Sequence, residues 1–188
     1  MPTALVISHP EVVVDPARPV PNWCLSALGI ERMTRFASSS VVNGVAAIFA
    51  SRETKASEAA QILGRIKGIP VAIRDGLEEI DRSAAGFLPA PEFERTADTF
   101  FAEPERSVRG WERAVDAQAR IVRTVDGLLQ AGSDNDLAIV IHGGVGTLLL
   151  CSYLRTPITR ELDQPSPGHY WAFDVASRSP LHGWRPIA

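Results

Sequence analysis

Short apolar runs along the chain alternate with segments in which apolar residues recur at helical spacing. The apolar runs are rich in β-branched residues and predict strands that are buried on both faces of a sheet. The predicted strands are residues 4–8, 45–49, 71–73, 137–141 and 170–175, and the tail after the last strand is predicted to be irregular.

The segments between these strands carry the helical pattern, together with residue types that begin and end helices. The predicted helices run from Ser26 to about residue 38–40, from Ser51 to Gly68, over 92–101, over 110–130 with Gly132 as the stop, and over 145–154. Because strands and helices alternate, the sequence predicts an α/β fold. The expected form is a three-layer α/β/α sandwich with a mostly parallel central sheet and helices on both faces.

One boundary between a strand and a helix carries candidate chemistry. The run 137–141 ends at His142, and Gly143 and Gly144 then lead directly into a helix. Ligands of open parallel sheets bind at the carboxyl ends of the strands, and a helix start offers free N–H groups to an anion. His142 and Gly143 are therefore candidates for an anion site, although a packed histidine in an α/β turn explains the pattern equally well.

Polar side chains also follow the other predicted parallel strands. Because the carboxyl ends of parallel strands meet at one edge of a sheet, these side chains are predicted to share one crevice. A lysine at a helix start favours an anion beside it, whereas the alternative is a lysine whose stem packs on the core and whose head reaches water. The side chains are His9 after the first strand, Ser51 and Lys55 after the second, and Glu78 and Glu79 after the third.

Composition places these elements in one globular domain, predicted to span residues 1–188. A chain of 188 residues with 45% hydrophobic and 22% charged residues can bury a substantial core. Its formal net charge of −3 gives no support for binding to nucleic acid or to an anionic membrane surface, so neither is predicted as a partner. The N-terminal segment lacks the basic region and the long apolar run of a signal peptide or anchor.

The spacing of cysteine and histidine residues predicts no zinc site, and no cofactor is predicted. Cys24 and Cys151 lie in apolar contexts and are interpreted as free thiols, which favours a reducing, cytoplasmic compartment. The sequence leaves the oligomeric state open, with a homodimer as one alternative.

In their order along the chain, these motifs resemble the histidine phosphatase superfamily, also called the phosphoglycerate mutase-like family. That family opens with a strand that ends in Arg-His-Gly, where this chain has Ser8, His9 and Pro10. Its later motifs are Ser-Ser-Pro-Leu-x-Arg-Ala, Leu-x-Glu, a glutamate followed eight residues later by an arginine, and Ser-His-Gly-Gly. Their counterparts here are 50–56, 77–79, Glu112 with Arg120, and 141–144.

The resemblance implies a phosphoglycerate mutase-like fold and a phosphomonoester hydrolase that works through a phosphohistidine intermediate. His9 would attack phosphorus, and His142 would hold oxygens of the phosphoryl group. Glu79 would protonate the leaving oxygen and later activate water, with Glu78 as the weaker alternative. The implied ligand is a phosphorylated small molecule or a phosphate anion, and the implied insert at about 82–109 would lie over the site.

The chain departs from the family pattern where phosphate is held. Ser8 and Lys55 replace arginines, and neither side chain has the planar, two-pronged donor set of a guanidinium. The predicted phosphate-binding residues are Ser8, Lys55, Arg52 and Gly143, with Arg18 and Arg82 as other arginines that could compensate. The alternative function is a weak or inactive family member that binds a phosphorylated ligand or partner.

Overall fold

The computed structural model of the chain describes residues 1–130 and 135–188, so the predicted helix stop at Gly132 lies outside the described residues. Over these residues one sheet of six strands forms the centre. The strands are β1 (Thr3–Ser8), β2 (Val45–Ala50), β3 (Val71–Ile73), β4 (Asp136–Ile141), β5 (His169–Asp174) and β6 (Pro180–Pro186). Their order across the sheet is β3-β2-β4-β1-β5-β6.

The sheet is mostly parallel, as predicted. Strand β4 lies between β1 and β2 and pairs with both in parallel, and β3 extends the parallel part beyond β2. Strand β5 runs antiparallel to β1, and β6 returns antiparallel to β5. The carboxyl ends of β1, β2 and β4 therefore open side by side at one edge, where ligands bind in such sheets.

Helices cover both faces, which confirms the predicted α/β/α sandwich. The helices are α1 (Ala27–Ala37), α2 (Thr54–Lys67), α3 (Ala90–Ala102), α4 (Ala114–Gln130) and α5 (Gly143–Tyr153). Helices α1 and α2 contribute to one apolar cluster, and α3, α4 and α5 to the other. Strand β1 serves both clusters, because Leu5 and Ile7 face the first while Ala4 and Val6 face the second.

Two predicted helix starts are wrong. Helix α2 begins at Thr54 instead of Ser51, because the Ser51 hydroxyl accepts the N–H of Glu53 in a turn that precedes the helix. Helix α4 begins at Ala114 instead of residue 110, since Gly110 has a φ of 78°, which the right-handed helix does not allow.

The irregular tail predicted after the fifth strand is also wrong. Residues Pro180–Pro186 form the edge strand β6 and hydrogen-bond to β5. The segment has few apolar positions, a proline at each end and Gly183 inside, so its composition argues against a strand. An edge position tolerates this composition, and Trp184 still packs over Gly146 of α5.

Candidate active site

The two histidines predicted to share a crevice lie side by side at the carboxyl edge of the sheet. His9 follows β1, and His142 follows the neighbouring strand β4. Their ring centroids are 5.2 Å apart, and the rings are inclined at 68° to each other. The parallel pairing of β1 with β4 thus brings together two imidazoles from distant parts of the sequence.

The His9 ring is held with one nitrogen available. Its Nδ1 lies 2.9 Å from the carbonyl oxygen of Pro10, an acceptor only, so Nδ1 carries the proton and Nε2 keeps its lone pair. Burial, followed by the charge of Lys55, lowers the pKa of His9 to about 4. The ring is therefore neutral and potentially nucleophilic at neutral pH, and it borders a cavity.

His142 is fully buried beneath His9. Its Nε2 lies 2.9 Å from the hydroxyl oxygen of Ser51, and its Nδ1 has no hydrogen-bond partner among the described residues. Burial, followed by the neighbouring His9, lowers the pKa of His142 well below its ordinary value. A buried polar atom without a partner is costly in a folded protein, but His142 does not itself border the cavity.

The side chain of Glu79 reaches the start of α5. Its two carboxylate oxygens accept the N–H groups of Gly144 and Val145, at 3.2 Å and 3.1 Å. The helix start therefore does not offer these two groups to an external anion, contrary to the expectation from the sequence. Burial raises the pKa of Glu79, while nearby donors and the charge of Arg82 oppose the rise. A carboxyl with a raised pKa can act as a proton donor.

The two glycines after His142 make room for polar side chains. A Cβ on Gly143 would lie 2.2 Å from Nε2 of Gln164, and a Cβ on Gly144 would lie 2.8 Å from Oε1 of Glu79. Both positions need the absence of a side chain because the amide and the carboxylate pack against the backbone there. Gly143 borders the cavity, as does Gln164.

Lys55 lies at the site, but a carboxylate that the sequence analysis missed accompanies it. The lysine is 3% exposed, and its Nζ lies 2.5 Å from Oε2 of Glu53 and 3.0 Å from the carbonyl oxygen of Val20. The other oxygen of Glu53 accepts the N–H of Glu79 and lies 3.7 Å from Nε2 of His142. The sequence did contain a sign of this carboxylate. Glu53 stands where the motif Ser-Ser-Pro-Leu-x-Arg-Ala has an apolar leucine, so a charged residue replaces an apolar one.

Ser8 and Gln164 form a pair beside the cavity. The Ser8 hydroxyl donates to Oε1 of Gln164 at 2.5 Å and accepts the N–H of His169 at 3.0 Å. Ser8 is fully buried and does not border the cavity, whereas Gln164 does. A direct contact of Ser8 with phosphate stays a prediction, and Gln164 is a second polar residue that the sequence analysis missed.

The three arginines considered as replacements have different surroundings. Arg52 pairs with Asp75 and Glu78 on the surface, and Arg18 pairs with Asp15. These two guanidinium groups are engaged away from the histidines, and the phosphate contact predicted for Arg52 stays a prediction.

Arg82 faces the cavity. Its guanidinium carbon lies 5.0 Å from the ring centre of Phe93 and 5.5 Å from that of Trp111, and no carboxylate of the described residues pairs with it. Burial raises the pKa of Glu79, and the charge of Arg82 opposes that rise. The pKa of His142 is lowered first by burial, then by His9 and Lys55, and then by Arg82, so Arg82 lies within electrostatic reach of the site. Arg82 is therefore the arginine whose position best allows it to meet an anion.

A partly buried arginine holds the backbone that carries the glutamates. Arg120 on α4 forms two hydrogen bonds to the carboxylate of Glu112, at 2.9 Å and 2.7 Å. Its other donors reach the carbonyl oxygens of Gly76 and Glu78, at 3.0 Å and 2.9 Å. The Glu112–Arg120 pair noted in the sequence therefore holds the backbone of residues 76–78, which leads directly to Glu79.

We expect Arg120→Met to lower the free energy of unfolding by about 2–3 kcal/mol, because it leaves a carboxylate and two carbonyl groups without donors. The control is Arg113→Met, which removes the exposed pair with Asp116 and should cost less than about 1 kcal/mol. Urea titration of both variants measures the difference. Equal losses would contradict a special role for Arg120.

Over residues 1–130 and 135–188, no group of His, Cys, Asp and Glu side chains is arranged to hold a metal ion. No helix in the same range has the length and apolarity needed to cross a membrane.

Comparison with known proteins relates the chain to one family. The family model described as "Histidine phosphatase superfamily (branch 1)" matches residues 18–170. No curated protein sequence matches the chain.

Solved structures share the fold of the whole chain. Bacillus stearothermophilus YhfR has 21% identity and a TM-score of 0.81, over 97% of this chain and 95% of its own. The mycobacterial glucosyl-3-phosphoglycerate phosphatase in complex with inorganic phosphate has 20% identity and a TM-score of 0.78, over 98% and 95%. The Entamoeba histolytica phosphoserine phosphatase in complex with 3-phosphoglyceric acid has 14% identity and a TM-score of 0.77, over 98% and 97%. At these identities the likeness is one of fold.

Proposed function

The chain belongs to the histidine phosphatase superfamily, and on that premise we propose that it is a phosphomonoester hydrolase with His9 as the nucleophile. One observation carries the proposal. The Nδ1 of His9 is tied to the Pro10 carbonyl, which leaves a neutral Nε2 beside His142 at the edge of a cavity that Glu79 also borders. A nucleophile, a proton donor and an unpartnered imidazole nitrogen thus meet in one place.

The reaction proceeds in two displacements at phosphorus. In the first, the lone pair of His9 Nε2 forms a bond to phosphorus, the ester P–O bond breaks, and Glu79 gives its proton to the leaving oxygen. In the second, the Glu79 carboxylate takes a proton from water, the water oxygen bonds to phosphorus, and the P–N bond breaks. Inorganic phosphate leaves, and both side chains regain their starting states.

The phosphoryl oxygens need donors and positive charge as the transfer proceeds. We assign these roles to Lys55, Arg82 and the open backbone at Gly143, which border the cavity. His142 is fully buried beside His9 and does not border the cavity, so its contact with a phosphoryl oxygen stays a prediction. Ser8 then acts indirectly, through its contact with Gln164.

Release of inorganic phosphate from phenyl phosphate by the purified chain tests the function. We expect turnover, with competitive inhibition by vanadate, because vanadate adopts the five-coordinate geometry of a phosphoryl group in transfer. His182→Ala is the matched control, since this histidine lies on β6 and does not border the cavity. Absence of phosphate release from every phosphomonoester tried would contradict the proposal.

The second function is binding of a phosphorylated ligand without turnover, and it is favoured by Ser8 and Lys55 in place of the arginines of the family pattern. The buried carboxylate of Glu53 opposes the charge of Lys55 and lies close to His142, so it weakens the attraction of the site for a dianion in either function. Vanadate binding without phosphate release would identify this function.

We expect Glu53→Gln to tighten the binding of inorganic phosphate about tenfold, because it removes the negative charge next to Lys55. The amide oxygen can still accept the N–H of Glu79, so the backbone contact is kept. Isothermal titration with phosphate measures the change, and Glu31→Gln, on the surface of α1, is the control. Unchanged or weaker binding in Glu53→Gln would show that Glu53 does not oppose the anion.

The lowered pKa of His9 predicts a loss of stability in acid. An unperturbed histidine gains its proton near pH 6.5, whereas His9 in the fold does so near pH 4. Between these values the unfolded chain binds more protons, so the free energy of unfolding falls as pH is lowered through this window. We expect a shallower fall for His9→Gln in urea titrations at several pH values. Equal slopes for both proteins would contradict the prediction.

A further inference from the structure

The cavity beside His9 continues into an aromatic wall. It has a volume of about 530 Å³ and extends from the sheet edge to the insert at about 82–109 and the loop before α1. Its lining includes His9, Lys55 and Glu79, which are assigned to the reaction. It also includes the aromatic residues Trp23, Phe87, Phe93, Phe101 and Trp111.

The aromatic rings come from separate segments and lie close together. Trp23 and Phe87 have ring centroids 5.9 Å apart, and Phe93 and Trp111 have centroids 5.7 Å apart. The indole N–H of Trp23 donates to the carbonyl oxygen of Asp15, which leaves its apolar faces available. Phe87 remains 38% exposed, so apolar surface at the cavity is still open to water.

Beside the aromatic lining residues, few cations could bind an acidic group of the substrate in addition to its phosphoryl group. Arg160 borders the cavity, but its guanidinium pairs with Glu94 and Asp98. Within the described part of the chain, this leaves Arg82, which lies over two of the rings and is assigned to the phosphoryl group. A leaving group with a carboxylate would have no cation of its own here.

We propose that the alcohol released by this site is aromatic, so that its substrates are phosphomonoesters with an aromatic ring in the leaving group. The inference rests on the proposed function, because it assigns the phosphoryl group to the end of the cavity at His9. An aromatic ring that packs against Trp23, Phe87 and Phe93 removes apolar surface from water on both partners. A sugar or glycerate group in contact with these rings would bury hydroxyl or carboxylate groups where the rings offer them no hydrogen bonds.

Benzyl phosphate, ethyl phosphate and 3-phosphoglycerate test the inference. Benzyl and ethyl alcohols are leaving groups of similar acidity, so their comparison reports binding of the ring. We expect kcat/KM to be at least about tenfold higher for benzyl phosphate than for either of the others. Phe87→Ala should reduce this preference about fivefold, mainly through KM. Leu181→Ala, an exposed apolar residue on β6 outside the cavity lining, should leave it unchanged.

Failure of this inference can be separated from failure of the proposed function. Equal kcat/KM values, or a preference for 3-phosphoglycerate, would overturn the aromatic specificity while hydrolysis stood. If no ester is hydrolysed, the proposed function fails, and binding of benzylphosphonate against ethylphosphonate then tests the aromatic site by tryptophan fluorescence. Equal binding of the two phosphonates would overturn the inference.

A second inference rests on the pair of Ser8 and Gln164, where the family pattern has an arginine before the nucleophile. The Ser8 hydroxyl donates to Oε1 of Gln164, so the oxygen of the amide faces Ser8. The amide nitrogen packs against the backbone of Gly143, and both Gln164 and Gly143 border the cavity. We infer that Gln164 donates to the phosphoryl group and that Ser8 is its positioning residue; this also rests on the proposed function.

A double-mutant cycle with vanadate as the probe tests this pair. We expect Gln164→Leu to weaken vanadate binding about tenfold and Ser8→Ala to weaken it less. The double variant should bind as Gln164→Leu does, because Ser8 acts only through the amide. Gln61→Leu, on the surface of α2, is the control. Additive effects, or unchanged vanadate binding with a loss of stability alone, would overturn the inference.

Discussion

Replacing His9 with alanine should lower kcat for phenyl phosphate by at least about a thousandfold. The substitution removes the atom that forms the bond to phosphorus, and no other described nucleophile takes its place. The ring of His142 lies 5.2 Å from that of His9, but it is fully buried and does not border the cavity. Steady-state phosphate release measures the loss, and His182→Ala should retain the rate of the unchanged protein.

Two further measurements separate loss of the nucleophile from loss of structure. Rapid mixing with labelled substrate should trap an acid-labile, base-stable phosphoryl group on the unchanged protein and none on His9→Ala. Imidazole added to His9→Ala should restore part of the rate, because the substitution leaves a space of the same shape beside His142. A variant that keeps its rate within about tenfold would exclude His9 as the nucleophile.

Replacing Glu79 with glutamine should have an effect that depends on the leaving group. For ethyl phosphate, whose alcohol needs a proton to leave, we expect a loss of about a hundredfold to ten-thousandfold. For 4-nitrophenyl phosphate, whose leaving group is stable as an anion, the first displacement should stay fast. The second still needs a base for water, so nitrophenol should appear in a stoichiometric burst followed by slow turnover.

Glu78 provides the matched control for this experiment. It is the adjacent carboxylate, but it accepts the N–H of Gly76 and contacts Arg52 on the surface. Glu78→Gln should therefore change kcat by less than about threefold with either ester, as expected for a group that touches no reacting atom. Equal losses in the two variants, or no burst in Glu79→Gln, would exclude Glu79 as the proton-transfer residue.

Much of the fold could be predicted from the sequence because it depends on local patterns. The apolar runs that form β1 and β4 are buried at the centre of the sheet, and their parallel pairing places His9 beside His142. Strand β6 could not be found in this way, since its segment forms a strand only because the edge of β5 is available to it.

The polar groups around the histidines were harder to predict because helix phase and long-range contacts decide them. Arg52 and Lys55 are three residues apart and would share a helix face if both were helical, but α2 begins at Thr54, so that spacing does not apply to Arg52. Gln164 is far from Ser8 in sequence, and only the packing of its segment over α5 brings the two together. No local pattern marks such a contact.

The wall that contacts the proposed leaving group is built from segments outside the sheet. Trp23 and Phe87 belong to loops, whereas His9 and His142 are anchored by the central strands β1 and β4. Substitutions in these loops leave the strand hydrogen bonds intact, so selection can change which alcohol is accepted at little cost in folding stability. The histidines of the proposed reaction and the residues proposed to select the alcohol thus belong to different parts of the fold, so the substrate preference can evolve while the reacting groups stay in place.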